Sequence, residues 1–329
     1  LPALTRTVTA RGFPSDGLVR TAHKLRVDLW TAEVVGALRE RGVRAVLLKG
    51  PALAGWLYAD DPSARAYADV DLLVGPGDRQ AAEDVLGGLG FREPSARLGR
   101  EWKFHADLWR RDRDGALVDL HRTLHGMEEL SPSRVWQVVA EDTETRPVGG
   151  CPVEIPNVVV RTLHVGLHLD IEDRPGSQAW TDLDRALDRV DRLTWRRAAE
   201  LAGRLGIRAE MGERLRMHPG GAALARDLGL PSGGSQRFRL QVAVASNGAP
   251  PQICSLHQLA SLRGRRAKAG YLFRKLFPPP VFMRQRSRLA SGGGWRLAIA
   301  YPVRAVWCAA VVPRAFWGWR RASFPKGQR

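Results

Sequence analysis

Apolar residues recur every three or four positions across residues 15–40. Leu18, Ala22, Leu25, Leu29, Ala32 and Val35 share one side of a helix that Gly42 ends. The compact apolar run at 44–48 predicts a short buried strand leading into Lys49-Gly50. Pro51 then opens a helix reaching about residue 58, because proline suits the first helical position. A polar loop (Asp60, Asp61, Pro62, Ser63) separates this helix from a second strand over 68–74, which Gly75-Pro76-Gly77 closes. A helix follows over 78–89 and stops at Gly90. Two alternating runs, 102–109 and 116–121, flank Arg111-Asp112-Arg113-Asp114-Gly115. Asp-Gly supplies the left-handed turn conformation, so this reads as a hairpin. After Pro156 the period becomes helical, with helices predicted over 157–170, 179–192, 195–205 and 207–217, and no internal repeat. The pattern is that of an α+β fold: a mixed sheet flanked by helices, then a helical region.

Charge divides the chain more sharply than hydropathy does. The 329 residues carry 51 Lys plus Arg against 34 Asp plus Glu, yet residues 235–329 hold 18 of the basic residues and none of the acidic ones. The remainder, with 33 basic against 34 acidic, is nearly neutral. The break falls at Pro231-Ser232-Gly233-Gly234-Ser235, which has the composition of a linker. Three regions are therefore expected: a core with its N-terminal helix (1–150), a helical domain completing a cleft (151–234) and a basic, aromatic-containing C-terminal segment (235–329). In that segment the most apolar run, 297–312, is interrupted by Pro302 and Arg304 and is too short and broken to read as a membrane span. Its Arg and Trp residues (Trp295, Trp307, Trp317, Trp319) suit an interfacial segment, an RNA-binding surface or an arginine-rich extension without a fixed partner.

A hydrophobic share of 44% and a charged share of 26% exclude wholesale disorder. Cys151, Cys254 and Cys308 are too sparse and too widely spaced for a disulfide framework or a zinc site. With no secretory signal in the first thirty residues, a cytoplasmic location is expected, with the tail a candidate for the membrane periphery. Oligomeric state leaves no mark on the sequence.

The residues that suggest chemistry lie in the sheet region. Asp69-Val70-Asp71 places two carboxylates two apart on a strand, so both point to one face. Two such carboxylates are costly side by side unless a cation neutralises them, and Mg²⁺ favours oxygen ligands. Alone, the pair reads equally well as a solvated strand face. Lys49-Gly50 lies at a strand-to-helix turn of the kind that favours phosphate. Asp119 offers a third acid on the predicted hairpin, and Arg65 shares the parity of Asp69 and Asp71. His121 shares a face with Asp119 and is a candidate to touch a second substrate. His164 and His168 lie four apart on one helix face, but with no HExxH glutamate they read as hydrogen-bonded histidines where helices meet the sheet. His168 is a further candidate to line the cleft.

The ordered set Val46-Leu-Leu-Lys49-Gly50-Pro-Ala-Leu-Ala, Tyr58, Arg65, Asp69-Val-Asp71-Leu-Leu-Val74, Leu89-Gly90-Phe91 and Val118-Asp119-Leu120-His121 resembles the uncharacterised nucleotidyltransferase family, within the DNA polymerase beta-like nucleotidyltransferase superfamily. The likeness is spread over roughly residues 30–125 and fades through about 230. It implies a mixed sheet with two metal-ligating acids, Asp69 and Asp71, on one strand and a third, Asp119, on its neighbour. It further implies Mg²⁺ (or Mn²⁺), an NTP as donor, and phosphates cradled by Lys49, Gly50 and Arg65. The acceptor would be a hydroxyl or phosphate of a small molecule or peptide, with natural-product tailoring as one such setting. Where the wider superfamily has Gly-Ser at the phosphate turn, this chain has Lys49-Gly50, which puts a cation where a hydroxyl would stand. An RNA-directed enzyme using the basic tail, and a non-catalytic nucleotide-binding protein, are the alternatives.

Overall fold

A computed structural model describes residues 17–93, 105–247, 250, 252–262, 264–291 and 294–323. In chain order the first part contains α1 (Gly17–Glu40), β1 (Ala45–Leu47), α2 (Pro51–Leu57), a 3-10 turn at Pro62–Ala64, β2 (Val70–Val74), α3 (Arg79–Gly88), β3 (Ala106–Arg110), β4 (Leu117–His121), α4 (Pro132–Ala140), β5 (Thr143–Val148) and β6 (Cys151–Pro156). The helical region follows as α5 (Val158–His168), α6 (Gln178–Arg189), α7 (Arg192–Arg204), α8 (Arg208–Arg216) and α9 (Pro219–Asp227). The basic segment supplies α10 (Gln236–Asn247), α11 (Gln252–Ser261), α12 (Arg265–Leu276), α13 (Pro280–Arg286), α14 (Arg288–Ser291) and α15 (Gly294–Ser323). Residues 102–104 of the predicted hairpin lie outside the described residues. Neither α4 nor the β5–β6 hairpin is expected from the apolar pattern.

The six strands form one mixed sheet in the order β3-β4-β2-β1-β6-β5. Two central strands decide where the acids go. β3 and β4 pair antiparallel around Asp114-Gly115, where Gly115 takes φ 75°. That leaves β4 parallel to β2, with Asp71 directly beside Asp119. β1 pairs antiparallel with the other edge of β2, and Leu48 N–H donates to the Asp71 carbonyl.

Alternation along the strands sends their side chains to two separate cores. Val70, Leu72 and Val74 of β2, with Val118 and Leu120 of β4, pack beneath α1 and α3 against residues such as Val34, Leu38 and Leu86. Leu73 and Val46 face the other way and meet α2, α4 and the helical region in a core that includes Leu163, Trp195 and Met211. Asp69, Asp71, Asp119 and His121 have the parity of Leu73, so the chemistry-bearing residues lie on the sheet face that the helical region covers.

The basic segment is built of short helices ahead of one long one. Its described residues are helical and enclose two small apolar clusters of their own, around Phe282, Met283, Ala290 and Ala300 and around Leu240, Ile253 and Ala315. The broken run at 297–312 becomes part of one continuous helix that passes through Pro302 and Pro313. Its stretch Gly294–Arg321 is long and apolar enough, by length and composition, to cross a membrane.

Candidate active site

Asp71 sits at the centre of the site on β2 and is buried. Its Oδ1 receives the Lys49 ammonium at 2.9 Å and faces His121 Nε2 at the same distance. The other His121 ring nitrogen, Nδ1, faces the Thr123 carbonyl at 3.3 Å. Ligand atoms of Asp71, Asp119 and His121 all lie within 4.8 Å of one another, close enough for one ion. Two carboxylates and an imidazole form a donor set that suits a divalent cation. His121 thus stands among the acids, with its Nε2 on Asp71. Asp69, just before β2, stands beside this trio.

The electrostatics of the four groups follow from crowding without solvent. Burial drives the Asp69 carboxyl up, Asp71 and Asp119 add to the effect, and Lys49 and Arg65 only partly offset it, leaving Asp69 at about 7. Burial and the Asp71 charge likewise raise Asp119. Burial would raise Asp71 too, but Lys49 and His121 prevail and hold it well below the usual carboxylate range. Burial works against the Lys49 ammonium, yet Asp71, Asp69 and Asp119 together keep it above the ordinary lysine value. Three acids around one lysine leave a local surplus of negative charge, which an added cation would relieve.

Gly50 positions Lys49. Its backbone takes φ 58° and ψ −119°, a region open essentially to glycine. α2 begins with Pro51 and spans only seven residues, and the cation at this turn is the Lys49 amine.

Arg65, expected among the phosphate-binding residues, has its described contacts with protein. It is buried and grips Asp182 of α6 through Nε (3.0 Å) and Nη2 (2.8 Å), while Nη1 reaches the Gly50 carbonyl at 3.4 Å. The Tyr58 hydroxyl donates to Asp182 at 2.8 Å, and Gln178 donates to both. Arg65 therefore ties the Gly50 turn to the helical region through Nε, Nη1 and Nη2.

Histidines extend the site toward the helical region. Ring centroids run from His121 to His105 (5.5 Å), on to His125 (6.0 Å), then His168 (6.1 Å) and His164 (5.6 Å). Five of the chain's eight histidines thus converge from β4, the loop after it, the residue before β3 and α5. Burial, with the Lys49 charge next for the two on α5, depresses His164 to about 3 and His168 well below its ordinary value. Burial and the neighbouring Arg214 take His125 to about 2. Arg214 also donates to the Leu169 carbonyl at 2.6 Å and pairs with Glu210. His105, His125 and Arg214 carry no sequence signal, because they come from separate loops and helices that only the fold brings together.

A family model described as an uncharacterised nucleotidyltransferase matches residues 20–218, which contain every residue of the site. Among solved structures, the chain is similar to the antibiotic-resistance factor ANT(2'')-Ia, determined in solution. The two share 15% identity with a TM-score of 0.39, over 56% of this chain and 94% of that one. No curated protein matches.

Proposed function

The chain belongs to the uncharacterised nucleotidyltransferase family, and we propose that it moves a nucleoside monophosphate from an NTP to a hydroxyl or phosphate of a small-molecule or peptide acceptor. Nucleotidyl transfer is the reaction class of that family, and the chain is a transferase. The convergence of Asp71, Asp119 and His121 within 4.8 Å, beside Asp69 and Lys49, is the observation that carries the finer reading.

A divalent cation, Mg²⁺ with Mn²⁺ able to replace it, would be held by Asp71, Asp119 and either His121 or Asp69, and supplies charge neutralisation to the triphosphate and the transition state when bound. Lys49 exchanges its contact with Asp71 for the β- and γ-phosphates, so one ammonium serves the acids in the free enzyme and the nucleotide in the complex. The acceptor oxygen attacks the α-phosphorus, and the bond from phosphorus to the pyrophosphate oxygen breaks. Asp119, beside Asp71 on the neighbouring strand, takes the acceptor proton. The helical region keeps water from the reacting face.

The test incubates the protein with each α-labelled NTP, Mg²⁺ and fractionated lysate, then identifies the labelled product. Asp71→Asn and Asp119→Asn should each abolish labelling, and Asp119→Asn should retain much of the NTP binding seen by calorimetry. Near-normal labelling by Asp119→Asn would overturn the proposed mechanism.

A further inference from the structure

One face of α15 is committed to protein. Leu297, Ala300 and Tyr301 lie against α13 and α14, and Ala315 and Trp319 against α10 and α11. Arg304 is held to that side by donating to the Lys275 carbonyl at 3.1 Å and 3.0 Å. Among the described residues, the side chains of the opposite face are exposed. Trp295, Ile299, Val303, Val306, Pro313 and Trp317 recur at intervals of three, four and seven, so they fall on one narrow stripe. Their exposure is large for apolar side chains, reaching 71% at Val306 and 69% at Trp295. From Trp295 to Trp317 the stripe runs for about 33 Å with no charged residue in it. Exposed Arg296, Arg314 and Arg321 border it on one side.

We propose that this face of α15 lies on the surface of an anionic phospholipid bilayer, making the protein a peripheral membrane enzyme. A continuous exposed apolar stripe of this length needs an apolar partner. The 18 basic residues of 235–329, with no acid among them, require that partner to be negatively charged as well. An anionic bilayer supplies both in one plane, with tryptophans at the ends of the stripe where headgroups meet acyl chains. The helix lies flat. To span, it would carry α10–α14 with it, placing residues such as Arg266, Lys268 and Arg288 in hydrocarbon, which is strongly unfavourable. A nucleic-acid surface would present the arginines along the centre of the face, whereas here they edge an apolar centre.

Sedimentation of the full chain with vesicles tests the proposal, using phosphatidylcholine alone and an equimolar mixture of phosphatidylcholine and phosphatidylglycerol. Binding to the anionic vesicles should exceed binding to the zwitterionic ones by at least about tenfold and weaken at high salt. Ile299→Glu/Val306→Glu should lose it while keeping helix content and nucleotide binding. Should that variant fail to fold, Arg296→Glu/Arg314→Glu provides the second arm, in which the preference for anionic vesicles falls. Equal binding by wild type and both variants would overturn the proposal. So would resistance to alkaline carbonate extraction, which would indicate a span. Salt-sensitive RNA capture without vesicle binding would also overturn it and assign the segment to nucleic acid.

Discussion

Lys49 is the residue on which the site turns, because it forms an ion pair with Asp71 at 2.9 Å in a buried setting that also holds Asp69 and Asp119. Removing its charge should therefore have opposite effects on two ligands. Lys49→Met is expected to raise the affinity of the nucleotide-free protein for Mn²⁺, by about tenfold, since a cation no longer competes with the lysine for Asp71. The same change should weaken NTP binding by about tenfold to a hundredfold, the range expected for loss of a charge-assisted contact. Titration of Mn²⁺ by electron paramagnetic resonance and of NTP by calorimetry separates the two. If both affinities fell together, Lys49 would be a structural support for Asp71 and not a shared cation. This duality was only half visible in the sequence. The lysine and the acids were legible from a strand-to-helix turn and an i, i+2 pair, but nothing in their spacing places the amine on one particular carboxylate. His121 was visible as a neighbour of Asp119 in parity, and its contact with Asp71 depends on the parallel register of β2 and β4.

At the scale of elements, the sheet strands around the site were legible because short apolar runs ended in strong turn residues. The β5–β6 hairpin was missed although Gly149-Gly150 joins its strands with φ 56° and 82°. β5 itself is mostly polar and exposed, so it lacks the apolar alternation that marks a strand. Arg65 illustrates the limit of parity, since its partner Asp182 lies more than a hundred residues away. Asp182→Asn should destabilise the protein by roughly 3–5 kcal/mol, because it leaves the buried Arg65 guanidinium without its counter-ion. NTP affinity measured below the melting range should be nearly unchanged; a selective loss of affinity without loss of stability would restore Arg65 as a phosphate ligand. Packing α5 against the sheet has its own pH signature. His125, His164 and His168 are depressed by burial and stay neutral in the folded state at pH values where the unfolded chain binds protons. Their contribution is thus fully present above about pH 6.5 and is lost as pH falls toward the folded values. Between pH 7.5 and 5.5 each should cost on the order of 1.4 kcal/mol of unfolding free energy. Urea melts at the two pH values check this, and His164→Asn should reduce the difference by about a third.

The whole molecule consists of a sheet with a core on each face, closed by α1 and α3 on one side and by α4–α9 on the other, with α10–α15 attached at one end. The charge break at residues 231–235 lies between α9 and α10, and the helical order beyond it was hidden by a composition rich in arginine and interrupted by proline. Few interactions described at the junction join the parts. Glu213 accepts from Gly233 N–H at 2.7 Å, Glu210 accepts from Ser235 N–H at 3.2 Å, and Arg214 lies over the Phe238 ring at 5.5 Å. Because the two main cores contain no residue beyond Leu230, a chain ending at Gly234 should fold on its own. It gives up the contacts of Glu210 and Arg214 with Ser235 and Phe238, and about 1–2 kcal/mol of stability with them, which lowers the melting temperature by a few degrees. NTP affinity should match that of the full chain, since every residue of the site precedes the cut. Differential scanning calorimetry and NTP titration of the two proteins side by side decide the matter. An insoluble product, or one with nucleotide affinity lowered tenfold (~1.4 kcal/mol), would mean that α10–α15 shape the helical region through Glu210 and Arg214. Arg214 also donates to His125, in the histidine file that leads to Asp71, so such a result would make the basic segment part of the site it adjoins.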